Sequence, residues 1–350
     1  MTESTDNFDP TTASLAPPQI PVRAEWLARA RDEPVIEPAL PIIDPHHHLW
    51  HRPGQRYLVD DLLADLQAGH DVRATVFVQC RSHYRADGPE ALRPVGETEF
   101  VVRATQHLLP GQPRVAAGIV CMADLMLGDA VAPVLDAQIA AGQGRLRGVR
   151  TMTSSHPAVA SMFGRMPEHR LLDPQWRKGA SHLAARGLLC EVYVFHTQLG
   201  EVEDLARSMP DTTIVLNHLG TPLNSGPYEG RGEQVLAEWR AALAGVARCP
   251  NVGLKLGGAG IHVIGFRFHE QPSPPDSQTL ADALRPYVET GIALFGAERC
   301  MFESNFPVDK GQFGYRALWN AFKRLCAGAS ADEKAQLFYR TAARVYRIDL

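Results

Sequence analysis

The chain has 350 residues, 45 % of them hydrophobic and 21 % charged, with a net charge of −4 at pH 7. That length suits one (β/α)₈ barrel, which takes roughly 250 residues before insertions. The weakly acidic balance has no basic patch and no block of like charge, which argues against a nucleic-acid partner. No apolar run approaches the ~20 residues of a membrane helix.

In chain order, Met1–Pro21 is polar, acidic and rich in Thr, Ser, Ala and Pro, and reads as a tail without a signal sequence. Val22–Leu40 carries Trp26 and several prolines and reads as a surface-wrapping extension, so that residues 1–40 precede a single domain over 41–350. From Pro41 the chain alternates short β-branched runs with longer amphipathic ones. Strands are expected in PIIDPHHHL (from Pro41), VRATVFVQC (from Val72), VAAGIVCMA (from Val115) and LRGVRTMT (from Leu146). Four more follow in LLCEVYVFH (from Leu188), TTIVLNHLG (from Thr212), NVGLKLGG (from Asn251) and RCMFESNF (from Arg299). Helices are expected over Val59–Ala68, Glu97–Leu109, Ala130–Ala141 and Pro174–Arg186. Further on they fall at Leu199–Ser208, Glu233–Ala247, Leu280–Phe295 and Tyr315–Ala327, before a last helical segment capped by Ser330. Strand–helix alternation over the whole chain implies a parallel sheet with helical crossovers. Eight such units imply a closed (β/α)₈ TIM barrel with α/β architecture, whose active site lies at the C-terminal strand ends.

The six cysteines, Cys80, Cys121, Cys190, Cys249, Cys300 and Cys326, form no C-x-x-C pair. Cys80, Cys121, Cys190 and Cys300 sit in apolar runs and read as buried free thiols. Free thiols suit a reducing compartment, and the expectation is a soluble cytoplasmic protein.

The first strand ends in Asp44-Pro45-His46-His47-His48. Side chains alternate along a strand, so Asp44, His46 and His48 are expected on one face and His47 on the other. Two imidazoles on one face can hold one metal ion; a surface histidine cluster is the bland alternative. Its place after an apolar run, at the end of the first strand, favours the site.

The D-x-H-x-H element resembles that of the amidohydrolase superfamily. The string IIDPHHHLW, followed downstream by NHLGTP and MFESNFPVD, resembles the amidohydrolase-related branch that contains sugar lactonases and 2-pyrone-4,6-dicarboxylate lactonase. The similarity spans roughly Pro41 to Ile348. By this resemblance His46, His48 and His196 become metal ligands, and His218 becomes a ligand or the acid/base. The family usually reads G-S-D-W-P on the eighth strand, where its Asp binds metal and takes the proton of the attacking water. Here the string is Glu303-Ser304-Asn305-Phe306-Pro307. An amide cannot serve as a general base at neutral pH. Glu303, two residues earlier on the same face, is the candidate for the missing carboxylate, both as ligand and as catalytic group, with Asn305 beside it. A carboxylate facing the barrel interior must be paired or bound to metal. A structural Glu303–Lys255 ion pair is therefore the alternative, and Asp309 is a third carboxylate within reach. Arg150 matches the family's G-V-R arginine and could fix a substrate carboxylate through two parallel hydrogen bonds.

Gln79 and Lys255 join Arg150 as substrate-binding candidates. His83, Tyr84, His156, His169, His262 and His269 lie in loops after strands and are candidates for the pocket wall. Gly257-Gly258 could let backbone approach a ligand.

A divalent ion on neutral imidazoles lowers the pKa of bound water and polarises a carbonyl. That chemistry suits hydrolysis of a lactone, ester or amide, and the resemblance favours a lactone of a carboxylated or sugar-derived acid. Zinc is the first expectation and manganese the second. A metal-independent mechanism stays open, because some lactonases of this branch use the same histidines only as hydrogen-bonding groups. The alternative activity is metal-dependent, non-oxidative decarboxylation of an aromatic or enol acid. A binding protein on a decayed barrel is the third reading. The partner expected is a small-molecule substrate, with no membrane; homo-oligomerisation stays open.

Overall fold

A computed structural model describes residues 19–109, 111–159 and 166–350. The tail expected over Met1–Pro21 lies, as far as residue 18, outside the described residues.

The alternating β-branched runs form eight parallel strands: β1 Pro41–His47, β2 Asp71–Val78, β3 Arg114–Cys121, β4 Leu146–Met152, β5 Leu189–Tyr193, β6 Ile214–Leu216, β7 Val252–Leu256 and β8 Cys300–Phe302. They are hydrogen-bonded in chain order, so every crossover leads to the adjacent strand. The ring closes where β8 runs on past Phe302: His47 bridges Phe306 in parallel, and Asn305 N–H donates to the His46 carbonyl at 2.9 Å. Eight helices follow the eight strands: α1 Val59–Leu66, α2 Val95–Thr105, α3 Ala132–Gly142, α4 Pro174–Ala180, α5 Leu199–Ser208, α6 Gly232–Ala247, α7 Ser277–Phe295 and α8 Tyr315–Leu325. The protein is a (β/α)₈ TIM barrel, as its sequence implies.

Alternation along the strands separates two apolar layers. On β2, Ala74, Val76 and Val78 point inward and pack with Ile43, Val120, Leu189, Val215 and Met301. Phe77, between them in sequence, points outward into the larger layer beneath the helices. Tyr346 and Ile348 from the C-terminal segment join the inner cluster and close the N-terminal end of the barrel. That segment begins at the expected Ser330 cap, whose hydroxyl accepts from Glu333 N–H at 3.2 Å.

The extension also earns its place by packing. Trp26 is buried and its Nε1 donates to the Gln271 carbonyl at 2.8 Å. The Asn320 side chain bonds both the Ile36 N–H and the Pro34 carbonyl at 2.9 Å, and Glu33 accepts from Ser277 N–H at the start of α7. The segment is therefore strapped across α7 and α8.

Three local expectations differ from what is found. The helix expected over Pro174–Arg186 ends at Ala180 and resumes as a single 3₁₀ turn, Ala184–Arg186. A two-stranded hairpin, Trp50–Arg52 with Gln55–Tyr57, follows β1 and was not foreseen. The stretch Leu125–Gly142 is long and apolar enough to meet the length and composition criteria for a membrane span. In the fold it is no single helix: a 3₁₀ stretch, Leu125–Val131, kinked at Gly128 with a non-helical φ of 56°, precedes α3.

Candidate active site

The first strand does not alternate evenly. Asp44 pairs with Thr75 and His47 with Phe77, so three residues on β1 span two on β2. This bulge, an extra residue in one strand, turns both Asp44 and His47 outward. Asp44 accepts from Ser304 N–H at 3.0 Å and from the Tyr315 hydroxyl of α8 at 3.0 Å. Burial raises its pKa to about 6 against these hydrogen bonds. Asp44 thus ties β1 to the end of β8, and the expectation that it shares a face with His46 and His48 is corrected. His47 bonds the Thr75 hydroxyl through Nε2 at 2.9 Å.

His46 and His48 face inward with rings edge to face, 4.9 Å between centroids. The Nδ1–H of His48 donates to the Val78 carbonyl at 2.7 Å, which leaves Nε2 bare. On one side of His46, Arg150 Nη1 lies 3.1 Å from Nε2. On its other side Nδ1 lies 2.7 Å from Glu303 Oε2 and 3.2 Å from Lys255 Nζ. Burial and then neighbouring cations (Lys255 for His46, Arg150 for His48) hold both imidazoles well below their usual pKa, so both are neutral at pH 7.

Glu303 is the centre of the arrangement. Its Oε1 accepts from the His218 ring Nδ1 at 2.7 Å and from the His218 backbone N–H at 3.1 Å. Its Oε2, although close to His46, accepts no aligned hydrogen bond. Burial alone would raise the Glu303 pKa, but His218 and Lys255 outweigh it and the net shift is downward, so the carboxylate stays ionised. The contact depends on unusual backbone. His218 has φ 54° and Leu219 φ 58°, left-handed values that bulky residues adopt only when tertiary structure over-determines them. A Cβ on Gly258 would fall 2.5 Å from His218 Nδ1, and one on Gly257 would fall 2.4 Å from Glu303 Cγ. The glycine pair makes room for the Glu303–His218 contact, where a ligand had been expected to approach.

Lys255 is paired with Glu191 on β5, at 2.9 and 3.0 Å, and not with Glu303. Glu191 also accepts from Asn217 Nδ2 at 2.8 Å and from the Tyr346 hydroxyl at 2.5 Å. Arg150 donates from Nη2 to the Gln79 carbonyl, while its Nε–H is buried without a partner, as is Gln79 Oε1. Asn305 has φ 54°; its amide donates to Asp309 Oδ1 at 2.7 Å, and its own Oδ1 has no partner. Burial raises the Asp309 pKa well above the usual carboxylate range.

A pocket of about 400 Å³, counted with its open mouth, lies over these groups. His48, Arg150, His218 and Asn305, with Gln19 and Arg52, supply its polar wall; Trp50, Met152, Tyr193, Ile261 and Val308 are among its apolar residues. A few polar groups set among apolar and aromatic walls are the mix of a small-molecule site. His196 lies elsewhere. Its Nδ1 accepts from Leu223 N–H at 3.2 Å and its ring packs edge-on against Tyr228, outside the group around Glu303. His83, Tyr84, His156, His169, His262 and His269 are not among the lining residues. Sequence reasoning missed Trp50, Arg52, Tyr193 and Glu191. The aromatic after His48 in HLW was the available signal for Trp50.

His46, His218 and Glu303 each offer a donor atom within 4.8 Å of the others. Two imidazoles, a carboxylate and the uncommitted Oε2 lone pairs fit a divalent ion, and the donor set suits zinc.

An eight-stranded barrel with buried histidines and a carboxylate beneath a pocket at its C-terminal mouth defines a hydrolase of the amidohydrolase type. The family model described as Amidohydrolase matches residues 43–348, and the chain belongs to that family. Uncharacterized protein y4mH of Sinorhizobium fredii is 33 % identical over 330 residues, covering 88 % of this chain and 98 % of the relative. An L-fucono-1,5-lactonase of Burkholderia multivorans is 27 % identical over 321 residues, covering 87 % and 96 %. A crystal structure of a Burkholderia multivorans amidohydrolase with bound zinc superposes with a TM-score of 0.66 at 25 % identity, covering 88 % and 99 %.

Proposed function

We propose that the protein opens a lactone, the cyclic ester of a sugar-derived or carboxylated acid, by adding water to its carbonyl. The observation that carries this reading is the buried Glu303–His218 pair beneath the pocket. Glu303 holds the Nδ1–H of His218, which leaves Nε2 as the ring's free acceptor. His218 takes a proton from water as the oxygen attacks the carbonyl carbon. It returns that proton to the ring oxygen when the C–O bond breaks. The Glu303 carboxylate stabilises the imidazolium formed between those two events. The unpartnered Nε–H of Arg150 is placed to donate to the carbonyl oxygen or to a substrate carboxylate. Asn305 Oδ1, a buried acceptor without a partner on the pocket wall, suits a substrate hydroxyl, whereas Gln79 is not among the lining residues. If a divalent ion is held, zinc before manganese, His46, His218 and Glu303 would be its ligands, and carbonyl polarisation and a more acidic water would come from the ion in place of proton transfer at His218 Nε2.

The lactonase named among the relatives supports the substrate class. The six buried free cysteines support a reducing compartment, and we place the enzyme in the cytoplasm. The test is acid release from a panel of sugar 1,5-lactones and 2-pyrone-4,6-dicarboxylate, with zinc, with manganese and after chelation. Turnover above the spontaneous rate on at least one is expected. Failure on every member under all three conditions would sink the reading.

A further inference from the structure

Besides Asp309 at the rim, four buried charged side chains of opposite sign meet inside the barrel among neutral histidines: Arg150 and Lys255, Glu191 and Glu303. The pairing among them is selective. Lys255 has three N–H donors. It spends them on the Glu191 carboxylate, on the Pro45 carbonyl at 2.9 Å and towards His46 Nδ1 at 3.2 Å. That same His46 nitrogen lies 2.7 Å from Glu303 Oε2, the oxygen that accepts no hydrogen bond. The ammonium is therefore separated from an uncommitted carboxylate oxygen by a single ring atom. A buried cation released from its own partner would be drawn to such an oxygen, because an unpaired charge in the interior is costly. Glu191 is itself fixed by Asn217 and by Tyr346, which reaches up from the segment closing the bottom of the barrel.

We propose that Glu191 is a positioning residue: by binding Lys255 it keeps the ammonium off Glu303 and leaves that carboxylate to His218. Its effect on turnover rests on the hydrolase reading above; the contact it protects does not. Without Glu191 the ammonium moves onto Glu303 and pulls it from the imidazole, so a residue remote from substrate controls the pair that acts on it.

The test is the proton spectrum of histidine-labelled (¹⁵N) protein. An imidazole N–H held by a buried carboxylate gives a far-downfield resonance, assigned to His218 by its loss in His218→Gln. The resonance is expected in the wild type and in Lys255→Met, lost in Glu191→Gln, and restored in Glu191→Gln/Lys255→Met, where no cation remains to compete. Turnover should follow: kcat falls roughly 100-fold in Glu191→Gln with KM unchanged, and recovers in the double variant. A resonance that persists in Glu191→Gln, or stays absent in the double variant, overturns the proposal. Lys255→Met reports even if Glu191→Gln does not fold, and loss of the resonance there also overturns it. Absence of the resonance from the wild type itself would strike the Glu303–His218 contact, and with it the functional reading.

Discussion

Oε1 of Glu303 lies 2.7 Å from Nδ1 of His218 and 3.1 Å from the backbone nitrogen of the same residue. One carboxylate oxygen thus fixes both the ring and the peptide that carries it, which sets the tautomer and the direction of Nε2 together. His218→Asn should therefore retain the fold and lower kcat on any lactone turned over by roughly 100-fold or more. Steady-state kinetics with a melting curve as control would check this; a kcat within a few-fold of the wild type would remove His218 from proton transfer.

Gly258 supplies a steric test of the same contact. A methyl group there would overlap the His218 side chain at Nδ1, Cγ and Cβ, on backbone already at φ 74°. Gly258→Ala should cost about 1–3 kcal/mol of stability and lower kcat. A crystal structure of the variant with the His218 ring unmoved would contradict the account.

The metal prediction separates two histidines that resemblance alone treats alike. His46 lies in the donor group with His218 and Glu303, whereas His196 is bonded to Leu223 N–H outside it. After dialysis against zinc, elemental analysis should find metal in the wild type and in His196→Asn, and little in His46→Asn. Loss of zinc in His196→Asn would return that residue to the ligand set.

Acid sensitivity follows from His47. Its outward, buried ring is neutral, with burial lowering its pKa from 6.5 to about 3. The unfolded chain binds a proton below 6.5 that the folded ring refuses until about 3, so stability is lost as pH falls through that window. The loss attributable to His47 is about 3 kcal/mol at pH 4.5. The stability gap between wild type and His47→Gln should narrow from pH 7 to pH 4.5 in denaturant titrations; parallel curves would contradict this.

Much of the barrel was legible because each strand is a short β-branched run followed by an amphipathic helix, and local pattern suffices for that. The helices at Leu199–Ser208 and Tyr315–Leu325 begin at the expected residues. The bulge on β1 was not legible, since register depends on the partner strand, and so Asp44 was placed on the wrong face. A Glu303–Lys255 ion pair was one of two readings of Glu303, and it is not formed: the partner of Lys255 is Glu191. That residue sits mid-strand in an apolar run, where a search confined to strand ends does not look. The site itself was partly legible: His46, His218 and Glu303 converge from β1, the end of β6 and the end of β8, while His48 and His196, also expected as ligands, stay outside that donor group.

The most direct test is Glu303→Gln, which keeps the shape and removes the charge that orients His218. Initial rates of acid release from a sugar 1,5-lactone, taken alongside melting temperatures, should show kcat reduced by roughly 100-fold or more in a protein that still folds. Equal kcat in the variant and the wild type would show that lactone opening proceeds without this carboxylate, and would contradict the account.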